Sequence, residues 1–380
     1  PYLVDHSAVD AYAFLIEFCG IRVFYSGDFR AHGRKSILFN KMVNVPPKNI
    51  DMLFMEGTMI EHSNDDFPSE SDVENKIYET IKDQKNLSFI ISSSQNIDRV
   101  VSAFRACKRA GKTLIIDIYT AWVLEKLKQV SDHVPAMDWD LVKVYADHPH
   151  DEMLKKNPDF FGKFRKELYK YRIMKEEIEA DPSCFLFFGR MSRFPVIDKY
   201  KRPRPVNVIY SQWLGYLQFK NHEYLGAEAI AAYRNDQQVN FVYAHTSGHA
   251  TLNDLKTFAA ALNARHLIPI HTEHKEEYPM HFKNVTVLED QKDYMLTDEG
   301  ALLEMVGDVY YLKRMTAIRD KVNLNWIRNH LKENEAIFHE TIDILYQLDW
   351  LGVAYPNQLT DEYASEAATI VLRLSEWNAV

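Results

Sequence analysis

Apolar positions along the chain follow two regimes. Residues 1–58 carry β-branched and aromatic runs: AYAFLIEF at 11–18, IRVFYSGDF at 21–29 and MLFMEGT at 52–58. Cys19-Gly20 separates the first two runs, so the pattern predicts a hairpin and a third strand. The polar stretch 61–68 reads as a loop. Ser71-Asp72-Val73-Glu74 has the form of a capping box opening a helix that runs to residue 85.

From residue 86 onward, strand and helix patterns alternate. SFIIS (88–92), TLIIDIY (113–119), FLFFG (185–189), VNVIYS (206–211), NFVYAH (240–245) and HLIPIH (266–271) read as strands. Helical spacing fills 98–110, where Val100, Val101, Phe104 and Cys107 share a face and Gly111 closes the helix. It returns at 121–130, 222–234 and 252–263. Such alternation implies βαβ units and a mainly parallel sheet. The charged, aromatic region 132–180 reads as a helical insertion, and DKYKRPRP (198–205) as a basic loop that could line an RNA channel or simply be solvated. The tail 308–380 reads as helical, with Ile337, Ile342, Leu345, Leu348 and Leu351 suited to packing or a subunit interface. These changes divide the chain at 1–85, 86–238, 239–307 and 308–380.

Composition narrows the class. Hydrophobic residues at 46% and aromatic residues at 13% exclude a disordered chain. With 45 basic against 54 acidic residues the formal charge is −9, so a nucleic acid would have to meet a local basic groove rather than a general polycation. Three dispersed cysteines, Cys19, Cys107 and Cys184, exclude a disulfide framework and a thiolate metal site, and they point to a reducing cytoplasm. No apolar run approaches the roughly 20 residues that span a bilayer, so no membrane partner is expected.

Candidate chemistry sits at strand ends. Asp28 follows the strand run in YSGDFR; a buried carboxylate there needs a partner, which backbone amides or Arg30 would supply without any catalysis. In VYAHTSGHATLNDL a strand runs into a turn and a helix opens near Thr251. Ser247 and Gly248 would offer phosphate ligands at a helix N-terminus, and His249 would suit proton transfer. An ordinary Ser/Gly turn with a capping histidine fits the same string. His271 directly follows an apolar strand, where open α/β sheets place ligands, though a lone histidine there is often structural. His6 also sits at a strand-side turn. Ser92, Ser93 and Ser94 fit a helix cap as well as a phosphate grip. DHPHD (147–151) reads as a polar loop. Tyr210, Trp213 and Tyr216 fit base stacking or core packing.

In order and spacing, VDHSAVDAYAFLIE, YSGDFR, MEGT, AHTSGHA and IPIHTE resemble the metallo-β-lactamase-fold nucleases of the β-CASP group, such as ribonuclease J and the RNA 3′-end processing nucleases. The likeness covers 1–303, and FIISSSQNIDRVVSAFRACKRAGKTLIID resembles the opening of the β-CASP insert. It implies an α/β fold: part of an αββα metallo-β-lactamase sandwich, an inserted Rossmann-like parallel-sheet domain and a helical C-terminal tail. It implies two zinc ions, with manganese as an alternative, that activate water for phosphodiester hydrolysis. His6 would bind one ion, Asp28 would bridge both and His271 would bind the second. Glu56 and His249 would be catalytic, protonating the leaving oxygen or orienting the scissile phosphate. Ser92, Ser93, Ser94, Ser247 and Gly248 would grip phosphates.

The implied function is hydrolysis of single-stranded RNA. DNA or a small phosphoester remains an alternative substrate, and a catalytically incomplete nucleic-acid-binding or regulatory protein an alternative role. The family's HxHxDH motif, which supplies most of the zinc ligands, would fall upstream of His6. The resemblance therefore implies that this chain is the C-terminal portion of a longer polypeptide, partnered by the N-terminal part of the metallo-β-lactamase domain. Half a sandwich would otherwise leave a sheet edge and an apolar face uncovered. A homo-oligomer through the tail is also compatible with the sequence.

Overall fold

A computed structural model describes residues 1–304 apart from 19, 62–66, 147, 291, 293 and 297–301. The expected helical tail, part of the 61–68 loop and Asp147 lie outside the described residues. The chain runs β1 (Tyr2–Leu3), β2 (Tyr12–Phe18), β3 (Ile21–Tyr25), α1 (Ser36–Asn44), β4 (Met52–Glu56), α2 (Glu70–Ile81), β5 (Ser88–Ile91), α3 (Ile97–Ala110), β6 (Thr113–Asp117) and α4 (Ile118–Leu127). It continues through β7 (Val142–Tyr145), α5 (His148–Lys156), α6 (Pro158–Leu168), α7 (Lys175–Ala180), β8 (Phe185–Gly189), α8 (Phe194–Lys201), β9 (Val206–Tyr210), α9 (Ala227–Ala232), β10 (Val239–Tyr243), α10 (Leu252–Leu262), β11 (His266–Ile270) and α11 (Tyr278–His281). A small antiparallel pair, β12 (Tyr294–Leu296) and β13 (Leu302–Glu304), belongs with residues 220–225 to a separate unit.

The main unit holds two sheets. The first has five strands in the order β1-β2-β3-β4-β11, antiparallel from β1 to β3 and parallel from β3 to β11. The second has six strands in the order β10-β9-β5-β8-β6-β7, all parallel. The expected mixed α/β architecture with a parallel sheet is therefore present. Central strands β5 and β9 are buried along their whole length, as their unbroken apolar runs require.

The five-stranded sheet is covered unequally. One face packs α1 and α10 through Phe24, Phe29, Phe39, Leu53, Met55 and Phe258, with the Phe29 and Phe258 rings 4.4 Å apart. On the opposite face Phe14, Ile16 and Phe18 of β2 and Tyr25 of β3 are 39–53% exposed. The period-2 alternation of a strand puts these three β2 residues on one side.

Several expected elements shift. The box that opens α2 is Ser69 with Asp72, not Ser71 with Glu74: Ser69 accepts from the Asp72 amide, and its own amide donates to the Asp72 carboxylate at 2.8 Å. The helix after β6 starts at Ile118, because Asp117 caps it through the Thr120 amide. DHPHD is not a loop: α5 starts at His148, and a proline is tolerated in a first turn, where its missing N–H would have no partner. Half of the 198–205 segment is likewise helix α8, with Lys201 paired to Asp198 and Asp236. Region 132–180 contributes strand β7 as well as helices.

Candidate functional site

The parallel strands β3, β4 and β11 end along one edge of the five-stranded sheet. Asp28 follows β3, Glu56 ends β4 and His271 follows β11. His249 reaches the same point from the loop before α10, whose start Thr251 and Asp254 fix with a capping box. Donor atoms of Asp28, Glu56, His249 and His271 all lie within 4.8 Å of one another. Residues 243 positions apart in sequence thus meet: His271 Nδ1 is 2.7 Å from Asp28 Oδ1.

Local backbone shape makes this possible. Gly27 has a φ of 56°, and a Cβ there would lie 2.7 Å from the Tyr12 carbonyl oxygen. Only glycine turns the chain so sharply between β3 and Asp28. His271 itself has a φ of 48°, an uncommon conformation for a non-glycine residue that often accompanies a functional constraint.

Glu56 is wholly buried. Its carboxylate accepts from the amides of Phe29 (3.2 Å), Ala250 (3.3 Å) and Thr58 (3.4 Å) and lies 3.0 Å from His249 Nδ1. That carboxylate fixes the His249 ring and leaves Nε2 for exchange with a ligand. Burial opposes protonation of His249, but the hydrogen bond and charge of Glu56, with help from Asp28, outweigh it and raise its pKa.

His6 stands beside this group rather than within it, its ring centre 5.9 Å from that of His249. Its Nδ1 donates to the Gly248 carbonyl at 2.8 Å. A carbonyl can only accept, so Nε2 is the unprotonated nitrogen, as metal ligation requires. Burial lowers its pKa and favours the neutral ring. A Cβ at Gly248 would sit 3.1 Å from His6 Cε1, so a side chain there would press on the His6 ring.

The serines divide. Ser247 Oγ accepts from the His249 amide at 3.0 Å, Ser93 Oγ accepts from the Gln95 amide at 3.2 Å, and Ser94 pairs with Thr120 at 2.8 Å. The Ser92 hydroxyl is buried with no hydrogen-bond partner among the described residues. Tyr210 is core: it is fully buried and donates to the Trp213 carbonyl.

Asp28 pairs with His271, not with Arg30. Arg30 is fully buried and serves a network that the sequence did not suggest. It donates to Asp98 (2.5 Å) and the Ser247 carbonyl (3.0 Å) and lies 3.6 Å from Glu70. Glu70 accepts from buried Arg99 (2.8 Å) and from Ser102 (2.7 Å), and Arg99 donates to the Ser211 carbonyl (2.7 Å). The network joins the two sheets behind the His249 loop. Burial opposes ionisation of Glu70, yet Arg99, Arg30 and Ser102 hold its pKa down to about 2. Asp5 is the counterexample: burial and neighbouring Asp98 push it up to about 6 despite Arg30. No local pattern signals such partners, because each is a polar residue in an otherwise ordinary turn or helix.

Two imidazoles and two carboxylates are the donors that zinc takes where thiolates are absent. The cluster therefore fits a zinc site by donor type and spacing.

Residues 239–283 match the family model described as "RMMBL: Zn-dependent metallo-hydrolase RNA specificity domain". This segment carries Ser247, Gly248, His249 and His271, and the match supports a metallo-β-lactamase relationship and a zinc-dependent hydrolase. Among solved structures the chain is similar to a protein of unknown function from Enterococcus faecalis V583, with a TM-score of 0.55 and 19% identity. That likeness covers 80% of this chain and 62% of the other, so the chain spans less than two thirds of that protein's length. At this identity the likeness shows the fold alone. No curated protein matches the chain. Among the described residues, no helix is long and apolar enough to cross a membrane.

Proposed function

We propose that this chain carries part of the active site of a zinc-dependent phosphodiesterase acting on single-stranded RNA, in a metallo-β-lactamase enzyme with a β-CASP insert formed by the six-stranded sheet. The observation that carries the reading is the convergence of Asp28, Glu56, His249 and His271 at the ends of parallel strands. The description of the segment matched at 239–283 adds RNA.

The residues divide the work. Asp28 and His271 hold metal, with His6 presenting Nε2 beside them. Bound zinc would polarise the phosphoryl group and lower the pKa of the attacking water. Glu56 fixes the His249 tautomer, and His249 passes a proton to the leaving oxygen from Nε2. Asp28 and His271 keep partly exposed side chains, 35% and 56%, which leaves an open side for a strand to enter. Two of the four donors, Glu56 and His249, are thereby assigned to proton transfer, which leaves Asp28, His271 and His6 as the metal-holding residues of this chain.

The test is hydrolysis of single-stranded RNA by the complete polypeptide. Asp28→Ala and His249→Ala should each lower the rate at least ~100-fold, the usual scale for losing a metal bridge or a general acid. Undiminished activity in both variants overturns the assignment.

A further inference from the structure

Buried polar side chains without hydrogen-bond partners are expensive and rare in folded proteins. Among the described residues several of them lie at the C-terminal ends of the parallel strands of the six-stranded sheet. Ser92 Oγ follows β5, Arg190 Nε and one of its terminal nitrogens follow β8, Gln212 Oε1 follows β9 and Thr246 Oγ1 follows β10. All four residues are at least nine-tenths buried, Arg190 at 8% exposure and Ser92 at 0%. The strand order β10-β9-β5-β8-β6 makes them one row. Ser92 and Arg190 are immediate neighbours, since the Ser92 amide donates to the Gly189 carbonyl at 3.0 Å.

The row carries arginine at one end. The Arg190 Cζ lies 4.4 Å from the centre of the Tyr119 ring, a cation–π contact that leaves those nitrogens unpaired. At that end Arg190 and Arg193 both act on the Asp117 carboxylate, whose Oδ2 is itself without a hydrogen-bond partner among the described residues. Arg193 is further engaged with His150 at 3.2 Å. The edge also meets the metal group's sheet: the Asp98 amide reaches the Ser7 carbonyl at 3.5 Å, next to His6.

We infer that Ser92 and Arg190 form a second phosphate subsite, which holds a phosphodiester of the substrate strand other than the one being cleaved. The inference rests on the nucleic-acid reading above. A phosphate oxygen would satisfy the free hydroxyl and the guanidinium edge together, and arginine's planar fork suits it.

The experiment measures binding rather than turnover. Fluorescein-labelled single-stranded RNA is titrated into the complete polypeptide with the metal chelated, at several salt concentrations, and inorganic phosphate is titrated separately by calorimetry. Arg190→Gln and Ser92→Ala are compared with the parent. Arg190→Lys, which keeps the charge and loses the fork, stands in if thermal melts show that Arg190→Gln is unfolded. The expected result is about 10-fold weaker RNA binding for Arg190→Gln, with the slope of log K against log salt reduced by about 0.7, the loss of one single-strand phosphate contact. Inorganic phosphate should lose its binding in the same variant. RNA binding with unchanged affinity and slope in all variants overturns the subsite and leaves the proposed function standing. Phosphate binding that depends on Arg190, with no RNA binding by the parent, supports the subsite and overturns the RNA reading. Absence of both overturns both.

Discussion

Glu70 joins the two sheets at a point where no water reaches, and its removal has a calculable consequence. Arg99 and Arg30 are fully buried, and Glu70 is the carboxylate between them. Glu70→Gln keeps the shape and the hydrogen bond to Ser102 but leaves two guanidiniums short of one negative charge. The pKa of Glu70 falls from 4.5 to about 2 on folding. That difference of about 2.5 units, at 1.36 kcal/mol each, corresponds to ~3 kcal/mol of stability, within the ~3–5 kcal/mol lost when one partner of a buried ion pair is removed. The sign follows from the direction of the shift. A carboxylate with a depressed folded pKa stabilises fully above its unfolded value and loses that contribution as the pH falls toward its folded value. The parent should therefore exceed Glu70→Gln by ~3 kcal/mol at pH 7 and converge with it between pH 4.5 and 2. Asp5 works in the opposite direction, since its pKa is raised to about 6; it is present in both proteins and cancels in the difference. Urea unfolding at pH 7 and pH 3 measures the two gaps. A gap below ~1 kcal/mol at pH 7, the level of an exposed ion pair, would refute the reasoning.

Further outcomes follow from other parts of the molecule. Gly27→Ala forces a side chain into a φ of 56° and against the Tyr12 carbonyl, so it should cost ~1–3 kcal/mol in a thermal melt and reduce bound zinc; an unchanged melt would contradict the strain. Ile16→Lys puts a charge on the exposed apolar face of β2; as a surface change it should shift the melt by less than ~0.5 kcal/mol, and a large loss of stability would contradict that exposure. Cys107 is buried and its thiol is pushed well above its usual pKa by burial. Peptide mapping after native iodoacetamide treatment should find Cys184 alkylated and Cys107 untouched; early labelling of Cys107 would contradict the core packing around it.

Much of the fold was legible because its signals are local. The apolar runs of β5 and β9 are fully buried strands, β8 is buried after its first residue, and Gly111 ends α3 in the left-handed conformation. Misplaced elements lie where two local signals compete. Ser69 and Ser71 both offer a cap, and only Ser69 has its N3 partner in reach. The proline of α5 reads as a breaker, yet it falls in a first turn. Within the candidate site, Glu56 entered only through the family resemblance, whereas Asp28 and His271 were recognisable as polar residues closing apolar strand runs. Their mutual pairing was not, and neither was the Arg30–Glu70–Arg99 network, whose members lie 29 to 69 positions apart and obey no period. Arg190 escaped notice because an arginine after a strand is usually solvated; its burial appears only once the neighbouring strands are in place.

The central claim is that Asp28, His271 and their neighbours hold zinc. Elemental analysis of the complete polypeptide, purified without added metal and compared with its Asp28→Ala variant, tests this most directly. The account predicts about two zinc ions per parent molecule, the number a two-metal hydrolase needs, and a clear loss in the variant. A folded parent without zinc or manganese, or a variant with undiminished metal, would contradict it.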